Sequence, residues 1–343
     1  MPHPALPEQT VPTLQHVADR AGVSRATASL ALAGKGRMME ATRQRVRDAA
    51  AELGYVANPT ARALRTARSG AVGLYVPDHT LSFRYYMDVA FGAVERAQQE
   101  DLLVTLMPTV YMPKSGILDH LDGFIMIDPL DGDPIAERLL SGRRPVVSGE
   151  GAPKGMPDPV ATVFSDHRAG IRLLLDHLWR EGARRPACML PEGVIAWGRE
   201  MREGYEAWCA EKKIEPRMVF SAFHTTQDEL RRLCDDLVLN RAGTDAIITS
   251  VEGTAIIALD SIRAAGLRVR DDILLASYVD SDPLATVQPS VTALDLNPRE
   301  FGRRCLEALA AAIDGSGEPG ERIEVPISIA VRESSQRARP SGA

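Results

Sequence analysis

Residues 14–32, LQHVADRAGVSRATASLAL, read as two short helices joined by a tight turn. Leu14, Val17, Ala18 and Ala21 recur at helical spacing, Gly22 supplies the corner, and Ser24 stands where a second helix needs its cap. That helix opens Ser-Arg-Ala-Thr, so its first turn presents short polar groups and one long basic side chain. This is the layout of a recognition helix entering the major groove of DNA. The spacing predicts a first helix capped by Thr13, a second from Arg25 to Ala33, and a third from Glu40 to Leu53 stopped by Gly54. Val46, Ala49, Ala50 and Leu53 share one face of the third helix. Met39 stands at its start in place of a capping Ser or Asp, which costs about 1 kcal/mol. Three helices in so few residues bury a small core and give a head of marginal stability.

Charge is divided along the chain in the same way. The 343 residues carry 40 Lys and Arg against 46 Asp and Glu, a net of −6. Residues 1–68 hold ten basic and five acidic residues, a net of +5, which leaves −11 on the remainder. A basic head on an acidic body is the electrostatic footprint of a nucleic-acid-binding module joined to a domain that does not bind nucleic acid. The length predicts two or three domains. Cys188, Cys209, Cys234 and Cys305 show no C-x-x-C spacing and read as buried thiols in a reducing cytoplasm. The start, MPHPALPEQTVP, lacks the pattern of a signal peptide and is expected to be disordered through residue 12. No apolar run is long enough to span a membrane.

After the third helix comes YVANPTARALRTARSG. Asn58 can cap a short helix with Pro59 at its first position, and Ser69-Gly70 ends the run. Under two turns long, it is not stable alone and needs a partner. DNA together with a second copy of itself is one candidate. Leu64 would then be an exposed apolar tip able to wedge into the minor groove, with Arg62 and Arg65 near phosphates; packing of Leu64 on the body is the alternative.

The block TLQHVADRAGVSRATASLAL, then TRQRVRDAAAELGY, then NPTARALR resembles the lactose-repressor/galactose-repressor (LacI/GalR) family of transcription regulators. The likeness runs on through the body to IAVRESS. It implies a homodimer on a pseudo-palindromic operator, with hinge residues Asn58, Ala61, Arg62, Leu64 and Arg65 at the minor groove. It places Arg25, Ala26 and Leu30 against base edges and Thr13, Ser24, Thr27, Ser29 and Thr42 against the backbone. Arg25 can pair with guanine O6 and N7, worth about 1–3 kcal/mol of discrimination. Ala26 and Leu30 offer apolar contact only.

The body alternates strands and helices: AVGLYVPD (71–78), a helix from Tyr85, a strand at 102–107, GFIMID (123–128), a helix from Pro134, and RPVVSG (144–149). The pattern restarts after SDHRAG (165–170) with PACML, MVFSAF, DAIITS and ILLASY as further strands. This predicts parallel, doubly wound sheets. The expected architecture is an all-α helix-turn-helix head (13–57), a hinge (58–69) and an α/β body of two Rossmann-like lobes, which the resemblance makes a type I periplasmic-binding-protein fold. The first lobe is expected at 70–165 and 297–316, the second at 166–296 and 317–334.

A ligand cleft should draw on strand ends. Its candidates are Asp78, Phe83, Tyr85, Tyr86, Glu150, Asp166, Trp197, Arg199 and Phe223, one of the two tyrosines being expected to pack within its helix instead. In sugar-binding family members an Arg, an Asn and an Asp hold effector hydroxyls. The matching positions here are Met201, Val251 and Val279, with Arg199, Glu252 and Asp280 charged but offset. Each unpaired buried hydroxyl costs about 1–3 kcal/mol, so a monosaccharide bound in the usual way is not expected. The segment between Thr109 and Leu121 is also shorter than the family's. There is no G-x-G-x-x-G after the first strand, no phosphate loop, no G-x-S-x-G elbow and no histidine pair at metal spacing, so neither an enzyme, a cofactor nor a metal is expected. A solute-binding protein, and a regulator controlled by a protein partner or by nothing, remain alternatives to a regulator with a small effector.

Overall fold

The computed structural model describes residues 12–32, 36–55, 68–77, 83–108, 118–222, 225–239 and 243–337. Residues 1–11 of the stretch expected to be disordered through residue 12, the hinge residues Asn58, Ala61, Arg62, Leu64 and Arg65, and the cleft candidates Asp78 and Phe223 lie outside the described residues, as does most of the segment between Thr109 and Leu121. The chain divides into two compact units, Met1–Ser69 and Gly70–Ala343.

In the first unit, α1 spans Leu14–Ala21, α2 Arg25–Leu32 and α3 Glu40–Glu52. Thr13 caps α1 reciprocally: its Oγ1 accepts from the His16 backbone N–H, and the Thr13 N–H donates to His16 Nδ1. Gly22 ends the helix in the left-handed region, at φ 65°. Ser24 Oγ accepts from the Thr27 N–H at 3.1 Å and caps α2. Met39 provides no side-chain cap for α3; Glu40 in the first turn pairs with Arg43 and Arg47 instead. The core is Val17, Ala18, Ala28, Ala31, Val46, Ala49 and Ala50. These side chains are small enough for three helices to approach closely, and they bury little apolar area.

The second unit holds two six-stranded sheets among the described residues. The first comprises β1 (Ala71–Val76), β2 (Leu103–Pro108), β3 (Phe124–Ile127), β4 (Val146–Gly149) and β5 (Ala161–Phe164), with helices α4 (Arg84–Gln99) and α5 (Pro134–Leu140). The second comprises β6 (Pro186–Pro191), β7 (Met218–Ser221), β8 (Ala246–Thr249), β9 (Leu274–Ser277) and β10 (Thr292–Asp295). Its helices are α6 (His167–Arg180), α7 (Ala196–Lys212), α8 (Gln227–Leu239), α9 (Thr254–Ala264) and the short α10 (Asp282–Thr286). The chain returns as α11 (Pro298–Asp314), β11 (Glu321–Glu324) and β12 (Ser328–Ala330). Strand orders are β11-β5-β4-β3-β1-β2 and β12-β10-β9-β8-β6-β7. All pairings are parallel except β10 with β12.

The inner strands of each sheet are buried on both faces, so they read as nearly unbroken apolar runs. Val72, Leu74 and Val76 of β1 face α4 and α11, whereas Tyr75 faces α5 and packs with Phe124, Met126 and Leu139. Cys188 and Leu190 of β6 meet α6 and α7, and Ala187 and Met189 meet α8 and α9. All four cysteines are buried, and none is joined in a disulfide. The chain passes between the sheets three times, at residues 165–166, 296–297 and 325–327.

One expectation requires correction. Residues 317–334 are not all in the second lobe, because β11 pairs in register with β5 and becomes an edge of the first sheet. Its sequence, ERIE, is mostly exposed and carries no apolar pattern that would announce a sheet. Strands β5 and β10, four residues each, are also additions to the sequence reading.

The closing VRESS is a clasp. The Arg332 guanidinium donates to both Asp280 oxygens at 2.8 and 2.7 Å. Ser334 donates to Leu275 O and accepts from the Thr292 N–H, and Ser335 bonds Thr292 Oγ1 and His177 Nε2.

Helices α4 and α11 cross backbone to backbone. A Cβ on Gly302 would lie 1.9 Å from Val89 O, and one on Gly92 2.0 Å from Arg299 O. Gly302→Ala must therefore push the helices apart, at a cost of about 1–3 kcal/mol. The melting transition of the body is expected to fall by about 5 °C, measured by calorimetry; an unchanged transition would contradict the close crossing.

Candidate functional site

The expected DNA-reading face is built on α2. Arg25 and Ala26 are exposed, and Leu30 is 45% exposed, unusual for a leucine. Arg25 makes no ion pair with a described residue, whereas Arg20 is paired with Glu52 and Arg43 and Arg47 with Glu40. Ser24 and Thr27 hydroxyls bond each other at 2.8 Å at the helix start. Thr13 is exposed at the start of α1, and Thr27, Ser29 and Thr42 are half-buried.

The second unit contains a cleft of about 720 Å³ lined by both lobes. Of the expected residues, Phe83, Tyr85, Tyr86, Glu150, Trp197, Val251 and Val279 line it. Three do not. Met201 is fully buried in the second-lobe core, because its place on α7 points it at the sheet. Asp166 is occupied as the cap of α6, its Oδ1 accepting from the Ala169 N–H at 2.9 Å. Arg199 reaches across to Asp131 of the first lobe at 2.7 Å, outside the cleft lining. The offset Asp280 is taken by Arg332. The sequence reading missed Asp128, His167 and Tyr278, and placed Glu252 only as an offset neighbour. The strand-end rule that found Glu150 applies equally to Asp128 after GFIMI and Tyr278 after ILLAS.

The floor of the cleft is a buried acid cluster. Asp128 and Glu150 follow β3 and β4, are 4% and 6% exposed, and both adopt positive φ, 48° and 68°. A residue with a side chain pays strain to sit there, and both are turned toward the cavity. Tyr86 donates its hydroxyl to Asp128 Oδ2 at 2.5 Å. The Ser165 N–H donates to Glu150 Oε2 at 3.1 Å, and His167 Nε2 stands 2.8 Å from the same oxygen. His167 Nδ1 is 2.8 Å from the Tyr278 hydroxyl. Trp197 and Tyr278 lie nearly parallel, 9° apart, with centroids at 6.5 Å, and Tyr85 meets Tyr86 edge to face at 5.2 Å.

Burial, then repulsion from Glu150, raises the Asp128 pKa to about 7 against the help of Tyr86, His167 and Trp197. Burial pulls the His167 imidazole down, but Glu150 and Asp128 outweigh it and its pKa is raised. Burial holds the phenols of Tyr85, Tyr86 and Tyr278 protonated.

The lobes also touch at the cleft's mouth. Helix α4 has no cap of its own at Phe83. Glu252 of the second lobe replaces it, accepting from the Arg84 and Tyr85 N–H groups at 3.1 Å each. Burial raises the Glu252 pKa although these two donors oppose it. Arg84 also pairs with Asp282 across the gap at 2.8 Å. Among the described residues no group of His, Cys, Asp and Glu is arranged to hold a metal, and no helix is long and apolar enough to cross a membrane.

Asp128 faces Glu150, Tyr86, His167 and Trp197, and its folded pKa lies above the unfolded value of about 3.9. Its contribution to stability is therefore complete below pH 4 and lost as pH rises through 7. Asp128→Asn removes the charge that is costly at high pH. Its melting temperature relative to the unaltered protein is expected to be about 2–4 °C more favourable at pH 8 than at pH 5. A pH-independent difference would contradict the shift.

Comparison with known proteins agrees with both units. Residues 13–58 match the family model of bacterial regulatory proteins, lacI family, and residues 175–335 match a periplasmic binding protein-like domain. The chain is similar to the HTH-type transcriptional regulator CelR of Thermobifida fusca, 30% identical over 335 residues that cover 94% of this chain and 98% of the relative. Among solved structures it resembles a transcriptional regulator CelR–cellobiose complex, with a TM-score of 0.70, 26% identity and coverage of 94% and 99%. It has the fold of the lac repressor dimer bound to operator and the anti-inducer ONPF, with a TM-score of 0.77, 22% identity and coverage of 95% and 99%. The chain belongs to the LacI family of bacterial regulatory proteins and is a helix-turn-helix, DNA-binding regulator of transcription.

Proposed function

We propose that this regulator binds a pseudo-palindromic operator as a homodimer in the cytoplasm, acts mainly as a repressor, and changes its DNA affinity when a small ligand enters the interlobe cleft. The observation that carries this reading is the cleft itself. It is large enough for a disaccharide-sized molecule, is lined from both lobes, and is bridged by Glu252 and by the Arg84–Asp282 and Arg199–Asp131 pairs. An occupant touching both lobes has different affinity for different lobe angles and so shifts their populations. No catalysis is required of it. The similar CelR structure is a complex with cellobiose, which supports a ring-shaped ligand of similar size.

Base readout is assigned to Arg25, with Ala26 and Leu30 as apolar contacts to thymine methyls. Thr13, Ser24, Thr27, Ser29 and Thr42 hold the backbone, and Asn58, Ala61, Arg62, Leu64 and Arg65 form the minor-groove hinge. The Arg25 guanidinium, exposed and without an ion pair among the described residues, supports this assignment. Arg25→Ala is expected to weaken binding to the cognate operator about 10- to 100-fold, with little effect on scrambled DNA. Fluorescence anisotropy with both duplexes at fixed salt measures this. Equal losses on the two duplexes would reassign Arg25 to phosphate contact. Binding that is insensitive to both salt and sequence would remove the operator-binding reading itself.

A further inference from the structure

We propose that the ligand of this cleft carries a protonated nitrogen beside a compact ring, an organic ammonium or amidinium seated on Asp128 and Glu150 between aromatic walls. The proposal rests on the reading of the cleft as the regulatory ligand site and specifies that ligand's chemistry.

Acidic side chains outnumber basic ones in the described lining of the cleft. Its described lining includes Asp128, Glu150 and Glu252 but no lysine or arginine. The arginines at its edges are committed elsewhere, Arg84 to Asp88 and Asp282 and Arg199 to Asp131. His167 is the one basic side chain in the described lining, and it already stands against Glu150 Oε2.

The carboxylates are also incompletely satisfied. Glu150 Oε1 and Asp128 Oδ1 are both buried and accept no hydrogen bond of normal geometry from a described residue. Their partner oxygens use the available donors, Ser165 N–H for Glu150 and Tyr86 OH for Asp128. The indole of Trp197 helps Asp128 without closing such a bond. A buried acceptor left open is costly, and two open acceptors on adjacent acids call for a donor that brings positive charge. A neutral polyol supplies hydroxyl donors but leaves the repulsion between the acids in place. An ammonium supplies several donors and removes that repulsion.

The walls suit the same guest. Tyr85, Tyr86, Trp197 and Tyr278 surround the acids, and Val251, Ile256 and Val279 continue the lining as apolar surface. Aromatic faces attract a desolvated cation and accept a ring. Val251 and Val279 occupy the positions where polar contacts to sugar hydroxyls were expected, so the apolar part of the guest faces the second lobe.

The test compares cyclohexylammonium with cyclohexanol, which match in shape and differ in charge, on the full-length protein at pH 7.5. Binding is followed by quenching of Trp197 and by thermal shift, with Trp197→Phe assigning the fluorescence change to the cleft. The ammonium is expected to bind at least tenfold more tightly than the alcohol. Glu150→Gln is expected to abolish that preference, its folding being checked by operator binding. Equal or tighter binding of cyclohexanol, or no binding of cyclohexylammonium, overturns the proposal even if Glu150→Gln fails to fold. Cellobiose is tested in parallel, and tighter binding of this neutral sugar overturns the cationic assignment but leaves ligand control of the operator intact. Operator affinity unchanged by any molecule that occupies the cleft would overturn the regulatory reading instead.

Discussion

A parallel sheet is re-entered from the same end by every strand, so all its strands finish along one edge. In this chain that geometric necessity builds the cleft. Asp128 follows β3, Glu150 follows β4, Val251 and Glu252 follow β8, and Tyr278 and Val279 follow β9. Two such edges confront each other because the chain crosses between the lobes three times. The facing edges bring together residues more than a hundred positions apart, such as Glu252 and the Tyr85 N–H. The inner strands of the sheets are apolar and buried on both faces, which leaves chemistry to the strand ends.

The cleft has features that stability alone would not select. Two carboxylates stand in a buried pocket at positive φ, each with an oxygen that accepts no hydrogen bond from a described residue, and one has its pKa raised to about 7 by burial and by the other. Strain, desolvation and like-charge repulsion all oppose folding here. The surrounding core offsets them: large apolar clusters flank both sheets, and the Arg332 clasp ties the chain's last segment to the second sheet. Glu252, taking the capping position that Phe83 cannot fill, links the start of α4 to the other lobe. Such a contact can be lost on lobe opening without disturbing either core.

Much of the fold was legible because its signals are local. Thr13, Gly22, Ser24 and Gly54 mark helix ends by their own chemistry, and unbroken apolar runs such as AVGLYV mark buried parallel strands. The cleft was legible in part: Phe83, Tyr85, Tyr86, Glu150, Trp197, Val251 and Val279 were found because they follow strands or match the family's pattern. Met201 was misplaced because a helix rotation of 100° per residue separates a core position from a cleft position, and adjacent charged residues do not reveal which is which. Arg199 was misread because its partner, Asp131 of the first lobe, is set by the folded arrangement. Asp166 was misread because its local role as a helix cap, accepting from the Ala169 N–H three residues on, takes it out of the cleft.

The sequence by itself determined the helix-turn-helix head, its basic charge, the alternation of strands and helices, and membership of a regulator family, since each is written in neighbouring residues. Tertiary structure alone decided that ERIE joins the first sheet, that α4 and α11 meet through Gly92 and Gly302, and that Asp128, Glu150 and His167 form one cluster. Those facts depend on distances between remote segments and on the burial that results. The opening stretch announces a DNA reader through its own periodicity. The chemistry of what controls it exists only where two sheet edges face each other.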